Sequence, residues 1–243
     1  GALIGGFISD NHFDLLYLFV CAARAVALIV ALFFEEVEAS EKEERVTVLE
    51  TFKRAVVILK ERREVLRLSL YSALTSTLYM TVFFYSQQYY STKGLLNSRI
   101  AIILLFGGIA AALGSLACDR LARLLKGSFV LFCSVLIALS ITAFFFGSLP
   151  VIIAGTLITE FFSSALYNYL LNGVNELIPS EQRATLISFE SMIYSVFMIG
   201  IFPLAGWLCD VFSMEAVFGT MGLVLFAAYI LFAASAPKKE KAE

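Results

Sequence analysis

Residues 114–127 read GSLACDRLARLLKG. One apolar stretch, 97–118, runs into them and a second, 128–146, leaves them. Between the two, Asp119, Arg120, Arg123 and Lys126 place four charges within eight residues. A short basic turn joining two stretches of membrane-spanning length belongs on the cytoplasmic side. On this reading the chain is an all-α membrane protein, and the rest of the sequence is consistent with it.

Sixty per cent of the residues are hydrophobic, 23 of them Phe, and the mean hydropathy is +0.86. Such a composition excludes an ordinary soluble domain and calls for lipid as solvent. A net charge of −2 carries no information about partners. Cys21, Cys118, Cys133 and Cys209 are scattered in or beside apolar runs. They have neither metal-ligand spacing nor a disulfide framework, and read as small packing or lipid-facing residues. There is no initiator Met and no secretory signal, and the chain opens inside a glycine-rich apolar stretch. It is therefore expected to be the later part of a longer protein.

In chain order, residues 1–10 (GALIGGFISD) read as the end of a helix, and 13–34 as a full span with Arg24 near its middle. Residues 35–67 are charged and hold no spanning run. Within them Val48, Leu49, Phe52, Val56 and Leu59 recur at helical spacing, with Lys53, Arg54 and Lys60 between, so an amphipathic helix on the membrane face is expected. Six further spans are expected at 66–90, 97–118, 128–146, 151–171, 184–208 and 215–236. A polar tail, 237–243, follows.

Alternate loops carry opposite charge character. One set holds 35–67, the 119–126 turn, 172–183 and the tail, with 15 Lys and Arg; the other holds only Lys93 and Arg99. Fifteen against two makes the first set cytoplasmic by the positive-inside rule. Sliding the chain on itself by 200 residues brings Gly6 onto Gly206, Asp10 onto Asp210 and Ala27 onto Ala227, with matching apolar runs around each Asp. Residues 1–34 thus read as a repeat of 201–234, the end of a second copy of one helical unit.

These features resemble the major facilitator superfamily. Gly114, Asp119, Arg120 and Arg123 are similar to its short loop motif, with Ala122 where the family has glycine and Leu124 where it has a base. Gly1, Gly5 and Gly6 resemble the end of the fifth-helix antiporter motif, with Ala2 in place of its proline. The stretch NELIPSEQRATLISFES, residues 175–191, resembles the opening of the eleventh helix in multidrug and tetracycline-type carriers. Pro179 ends one helix there, Ser180 caps the next and Glu181 suits the positive helix start.

The resemblance implies a twelve-helix carrier in two halves. Residues 1–34 would be the end of helix five and helix six of the first half. Residues 35–65 would be the central cytoplasmic loop, 66–236 the six-helix C-terminal half and 237–243 a cytoplasmic tail. The missing first half would be a partner of this chain. The expected place is a cell membrane, a bacterial inner membrane by its compact loops, crossed several times.

Two spans carry a polar face. Ser72, Ser76, Tyr79, Phe83, Gln87 and Tyr90 recur at steps of three or four along one helix. Glu160, Ser164, Tyr167, Asn168, Asn172 and Asn175 do so along another. By resemblance these are the seventh and tenth helices, which line the family's central cavity, so Ser72, Ser76, Tyr79, Phe83, Gln87, Ser164, Tyr167 and Asn168 are the candidate cavity residues. Glu160 lies midway through its span, where an ionised carboxylate is costly and acids are functional by default. It reads as a proton-coupling or cation-binding group, against the alternative of a carboxyl satisfied by a neighbouring helix.

Gly114, Asp119, Arg120, Arg123, Glu176 and Arg183 are the candidate gating-loop residues, with Arg120 or Arg123 expected to meet Glu176 or Glu181. Arg24 and Glu190 read as structural and His12 as incidental. Gly107, Ala111 and Ser115 form a small-residue packing stripe.

No nucleotide loop, catalytic Ser/His/Asp arrangement or metal cluster is present in the sequence. The chain is not expected to be an enzyme, to carry a cofactor or to bind nucleic acid. The expected function is secondary active transport of a small-molecule substrate, driven by protons in a lipid membrane, with efflux of amphipathic or drug-like molecules as the leading form. A proton-coupled importer of the same fold is the alternative. A seven-helix receptor or non-transporting scaffold is the alternative of a different class.

Overall fold

The computed structural model describes residues 2–10, 12–34 and 62–235; the side chains of 2, 13 and 180–186 also lie outside the described residues. The expected amphipathic helix within 35–65 and the polar tail fall outside them. Among the described residues the chain is all helix and turn, without a strand. Its α-helices are α1 (Ala2–Ser9), α2 (Phe13–Ala31), α3 (Arg63–Thr92), α4 (Asn97–Leu125), α5 (Phe129–Thr142), α6 (Leu149–Glu176), α7 (Ser180–Val211) and α8 (Met214–Ala234).

Among the described residues five stretches are long and apolar enough to cross a membrane: Asp14–Ala31, Asn97–Phe146, Leu149–Glu176, Ile187–Val211 and Met214–Ala234. The second holds both α4 and α5. The exception among the seven expected spans is α3. Its 30 residues reach about 45 Å, enough to span, but its Ser, Thr, Tyr and Gln residues lower its hydropathy. The helix is buried on several sides within the bundle rather than facing lipid all round.

The basic turn is shorter than the apolar pattern placed it. Helix α4 continues through Leu125, because nothing between Cys118 and Leu125 breaks a helix. Gly114, Asp119, Arg120 and Arg123 therefore stand on α4, and only a 3₁₀ turn, Lys126–Ser128, separates it from α5. Lys126 takes the left-handed φ of 49° that reverses the chain there. At the opposite end, Gly147 takes φ 62° after the 3₁₀ turn Ala143–Phe146. Pro150 then sits in the first turn of α6, where its missing N–H costs nothing.

Close contacts between small residues set the helix packing, as expected where lipid supplies no hydrophobic drive between helices. A β-carbon on Gly155 of α6 would lie 2.8 Å from the Ser140 carbonyl of α5, and one on Gly222 of α8 2.7 Å from the Ala138 carbonyl. Around these approaches Phe129, Ile137, Ile141, Ile152, Phe218 and Leu225 are fully enclosed.

Polar contacts tie the helix ends into two layers. Arg62 donates to the Leu177 carbonyl, and Arg67 to the Phe232 carbonyl at 3.1 Å, with its guanidinium 4.5 Å over the Phe232 ring. At the other end Lys93 pairs with Glu215 at 2.9 Å. Asp10, one of the repeat residues, accepts from the Ser98 N–H at 3.2 and 3.3 Å, placing a carboxylate at the positive start of α4. Alternate connections thus gather at opposite ends, as the charge pattern requires. Arg24 is exposed, as are the other described side chains of α2 apart from half-buried Leu16.

Candidate functional site

Tyr79 is the point at which α3, α6 and α7 converge. On one side it lines a cavity of about 310 Å³ with Ser76 and Met80 of α3, Tyr167 of α6, and Glu190 and Tyr194 of α7. On the other it lines a narrow crevice with Phe83 of α3 and Glu160 of α6. The two acids thus approach one tyrosine from different directions.

Glu160 lies midway along α6, half-buried. Gly107 of α4 faces it: a β-carbon there would stand 3.4 Å from the Glu160 Cγ, in ordinary contact. The Glu160 side chain thus lies against α4 on one side and faces α3 on the other. Among the described residues no base forms an ion pair with Glu160; the ion pairs there join Arg67 to Glu64 and Lys93 to Glu215. A mid-span carboxyl in such a place is stable when neutral and becomes costly when ionised unless water or a cation reaches it.

The structure gathers part of the expected polar face. Ser76, Tyr79 and Tyr167 share the 310 Å³ cavity. Ser72 adjoins it through a small gap that it lines with Ser76, Tyr79 and Tyr167. Phe83 joins Glu160 in the crevice. Asn168 instead turns to α4, where its Nδ2 donates to Ser115 Oγ at 2.7 Å. Ser164 and Gln87, both half-buried, line neither space.

Helix α7 supplies a wall that sequence reasoning missed. Ile187, Glu190, Ser191 and Tyr194 line the cavity, and Glu190 is only 8% exposed. The signal was available: these residues recur at steps of three and four, on one helix face.

Two charged residues of the motif, Asp119 and Arg123, line a second cavity of about 740 Å³ at the basic end of the bundle, while Arg120 is exposed outside it. Asp119 and Arg123 of α4 face Glu64 and Arg67 of α3 and Glu176 of α6 across it. Arg67 and Glu64 pair at 2.8 Å. Arg123 and Glu176 share the cavity, yet among the described ion pairs none joins Arg120 or Arg123 to Glu176. The side chains of Glu181 and Arg183 lie outside the described residues. Gly114 is buried in α4, away from the turn.

The family model described as Major Facilitator Superfamily matches residues 97–243, more than half of the chain. Among solved structures, the chain is similar to the crystal structure of a bacterial homologue of the human lysosomal transporter Spinster, in an inward-facing and unoccupied conformation. The TM-score is 0.61 at 14% sequence identity, over 94% of this chain and 63% of that one. At that identity the likeness concerns the fold alone. The chain spans less than two thirds of the length of that protein. No curated protein gave a match.

Proposed function

The chain belongs to the major facilitator superfamily, and we propose that it forms part of a secondary active transporter that exports small amphipathic molecules in exchange for protons. The observation that carries this reading is Glu160: a mid-span carboxyl without a basic partner among the described residues, sharing Tyr79 with the 310 Å³ cavity. In its neutral form the crevice around it can be sealed from water. In its ionised form it favours a state in which water or a cation reaches it. Two protonation states that favour different openings of one cavity are what an ion-coupled carrier requires.

On this reading residues 66–236 are a transport half, with the solute meeting α3, α6 and α7. Residues 35–65 and 237–243 are cytoplasmic, and residues 1–34 close an upstream half that completes the cavity. Asp119, Arg120, Arg123, Glu176 and Arg183 hold the cytoplasmic end in one of its states. The protein resides in a cell membrane, a bacterial inner membrane by its short connections.

The test is solute flux in vesicles under an imposed pH gradient, per folded molecule, for the wild type, Glu160→Gln and Glu160→Asp. Gln mimics the neutral carboxyl and should abolish the response to the gradient. Asp keeps the charge one methylene further back and should retain partial activity. Full gradient-driven flux in the Gln variant would remove Glu160 from the coupling role, and the sign of the flux separates export from import.

A further inference from the structure

The wall that α7 contributes points to the chemistry of the solute. We infer that Glu190, set among the rings of Tyr79, Tyr167 and Tyr194, receives the positive head of an organic cation, so that the solutes are amphipathic amines and related onium ions. This deepens the transport reading and rests on it for the passage of the solute, though not for its binding.

Three observations carry the inference. First, Glu190 is more than nine-tenths buried and yet lines a cavity, not a sealed core. Among the described residues that cavity has no Lys or Arg in its lining. The Ser72 hydroxyl stands beside the Glu190 carboxylate, and it makes no hydrogen bond of ordinary geometry. A carboxylate buried without a fixed cation among the described residues leaves room for a mobile one.

Second, three of the surrounding side chains are tyrosines, one from each helix that meets there: Tyr79 of α3, Tyr167 of α6 and Tyr194 of α7. Aromatic faces attract a cation through their quadrupole, most strongly where water is excluded. They give an anion no such attraction, and Glu190 repels it. Third, Met80 and Ile187 complete the wall. Both are apolar, and Met adapts to irregular shapes, which fits hydrophobic substituents of varied outline around a common charge. Glu160, in a separate crevice behind Tyr79, remains for the proton.

The test uses two probes of the same shape and opposite charge, tetraphenylphosphonium and tetraphenylborate. Their binding to the purified protein in detergent is measured with radiolabelled ligand by scintillation proximity. Tetraphenylphosphonium should bind saturably, and tetraphenylborate at least about tenfold more weakly. Glu190→Gln should weaken the cation about tenfold or more, since it removes the charge that faces it in a desolvated place. Should that variant fold poorly, Tyr194 decides. Tyr194→Leu should weaken the cation severalfold and Tyr194→Phe should not, because only Leu removes the ring face. Equal affinity for the two probes, or unchanged cation binding in both Glu190→Gln and Tyr194→Leu, would overturn the inference. Gradient-driven flux of a neutral solute without cation binding would reject this site and leave the transport reading standing. Cation binding through Glu190 without any gradient-driven flux would do the reverse.

Discussion

Gly114 of α4 meets Phe161 of α6 backbone to backbone: a β-carbon on the glycine would overlap the Phe161 carbonyl oxygen. Phe161 directly follows Glu160. One helical turn below Gly114, Cys118 donates to the Ala165 carbonyl at 3.3 Å, and two turns above it Gly107 faces Glu160 itself. Gly107, Gly114 and Cys118 therefore form one face of α4, and that face fixes the position of Glu160. Gly114→Ala should force the helices apart and destabilise the fold by about 1–3 kcal/mol. Gly108→Ala is the control. Nothing lies within 4 Å of its missing β-carbon, so the change should be neutral or stabilise by up to about 1 kcal/mol. Thermal unfolding in detergent would compare the two, and equal effects would show that the approach at Gly114 is not tight.

The charge pattern predicts orientation. Lys126 and Arg183 should face the cytoplasm and Lys93 the outside, because 15 of the 17 Lys and Arg assigned to loops fall on one side. Single cysteines at these positions, labelled with an impermeant reagent on intact cells, would report this. Labelling at 126 but not at 93 would invert the topology.

Asp119 lines the 740 Å³ cavity opposite Arg67 and Glu176. If this end of the bundle holds one state of the carrier, Asp119→Asn should reduce transport severalfold with little change in the amount of folded protein. Flux normalised to folded protein is the measurement. Wild-type flux at wild-type abundance would leave the residue no gating role.

At the opposite end of the bundle Lys93, in the turn between α3 and α4, bonds to Glu215 at the start of α8. That bond raises the lysine pKa above its ordinary 10.5. A raised lysine pKa contributes stability that is complete below the unfolded value and is lost as pH rises through the folded one. Lys93→Gln should therefore be slightly less stable than the wild type near neutral pH. The difference should shrink in strongly alkaline buffer, as paired denaturation curves at the two pH values would reveal. A constant gap would mean that the lysine acts through its packing over the Tyr89 ring, 5.0 Å away.

Much of this architecture was legible without coordinates. Hydropathy located the helices, because a spanning helix must be apolar over its length. Charge counting sorted the connections into two alternate sets, one rich in Lys and Arg and one nearly free of them. The polar steps along α3 and α6 named Tyr79, Tyr167 and Glu160, because a cavity wall must break the apolar pattern at helical period. The boundary near 118–126 was misplaced for a related reason: charge at a membrane surface looks like a turn in a hydropathy reading, although α4 remains helical through Leu125.

Which of those polar positions share a space was decided only in three dimensions. Asn168 lies one step beyond Tyr167 on the same expected face, yet it turns to Ser115 of α4, while Tyr167 opens into the cavity. Glu190, which reads as structural in the sequence, lines the cavity wall. Composition and period were enough to show a bundle of membrane-length helices with a basic side and a mid-span acid, since these properties are local. That α7 completes the cavity, that Tyr79 stands between two acids and that Gly114 sets the depth of one of them emerged only from the packing of the helices. Those are relations between helices far apart in the chain, set by the angle and distance at which small residues let backbones meet.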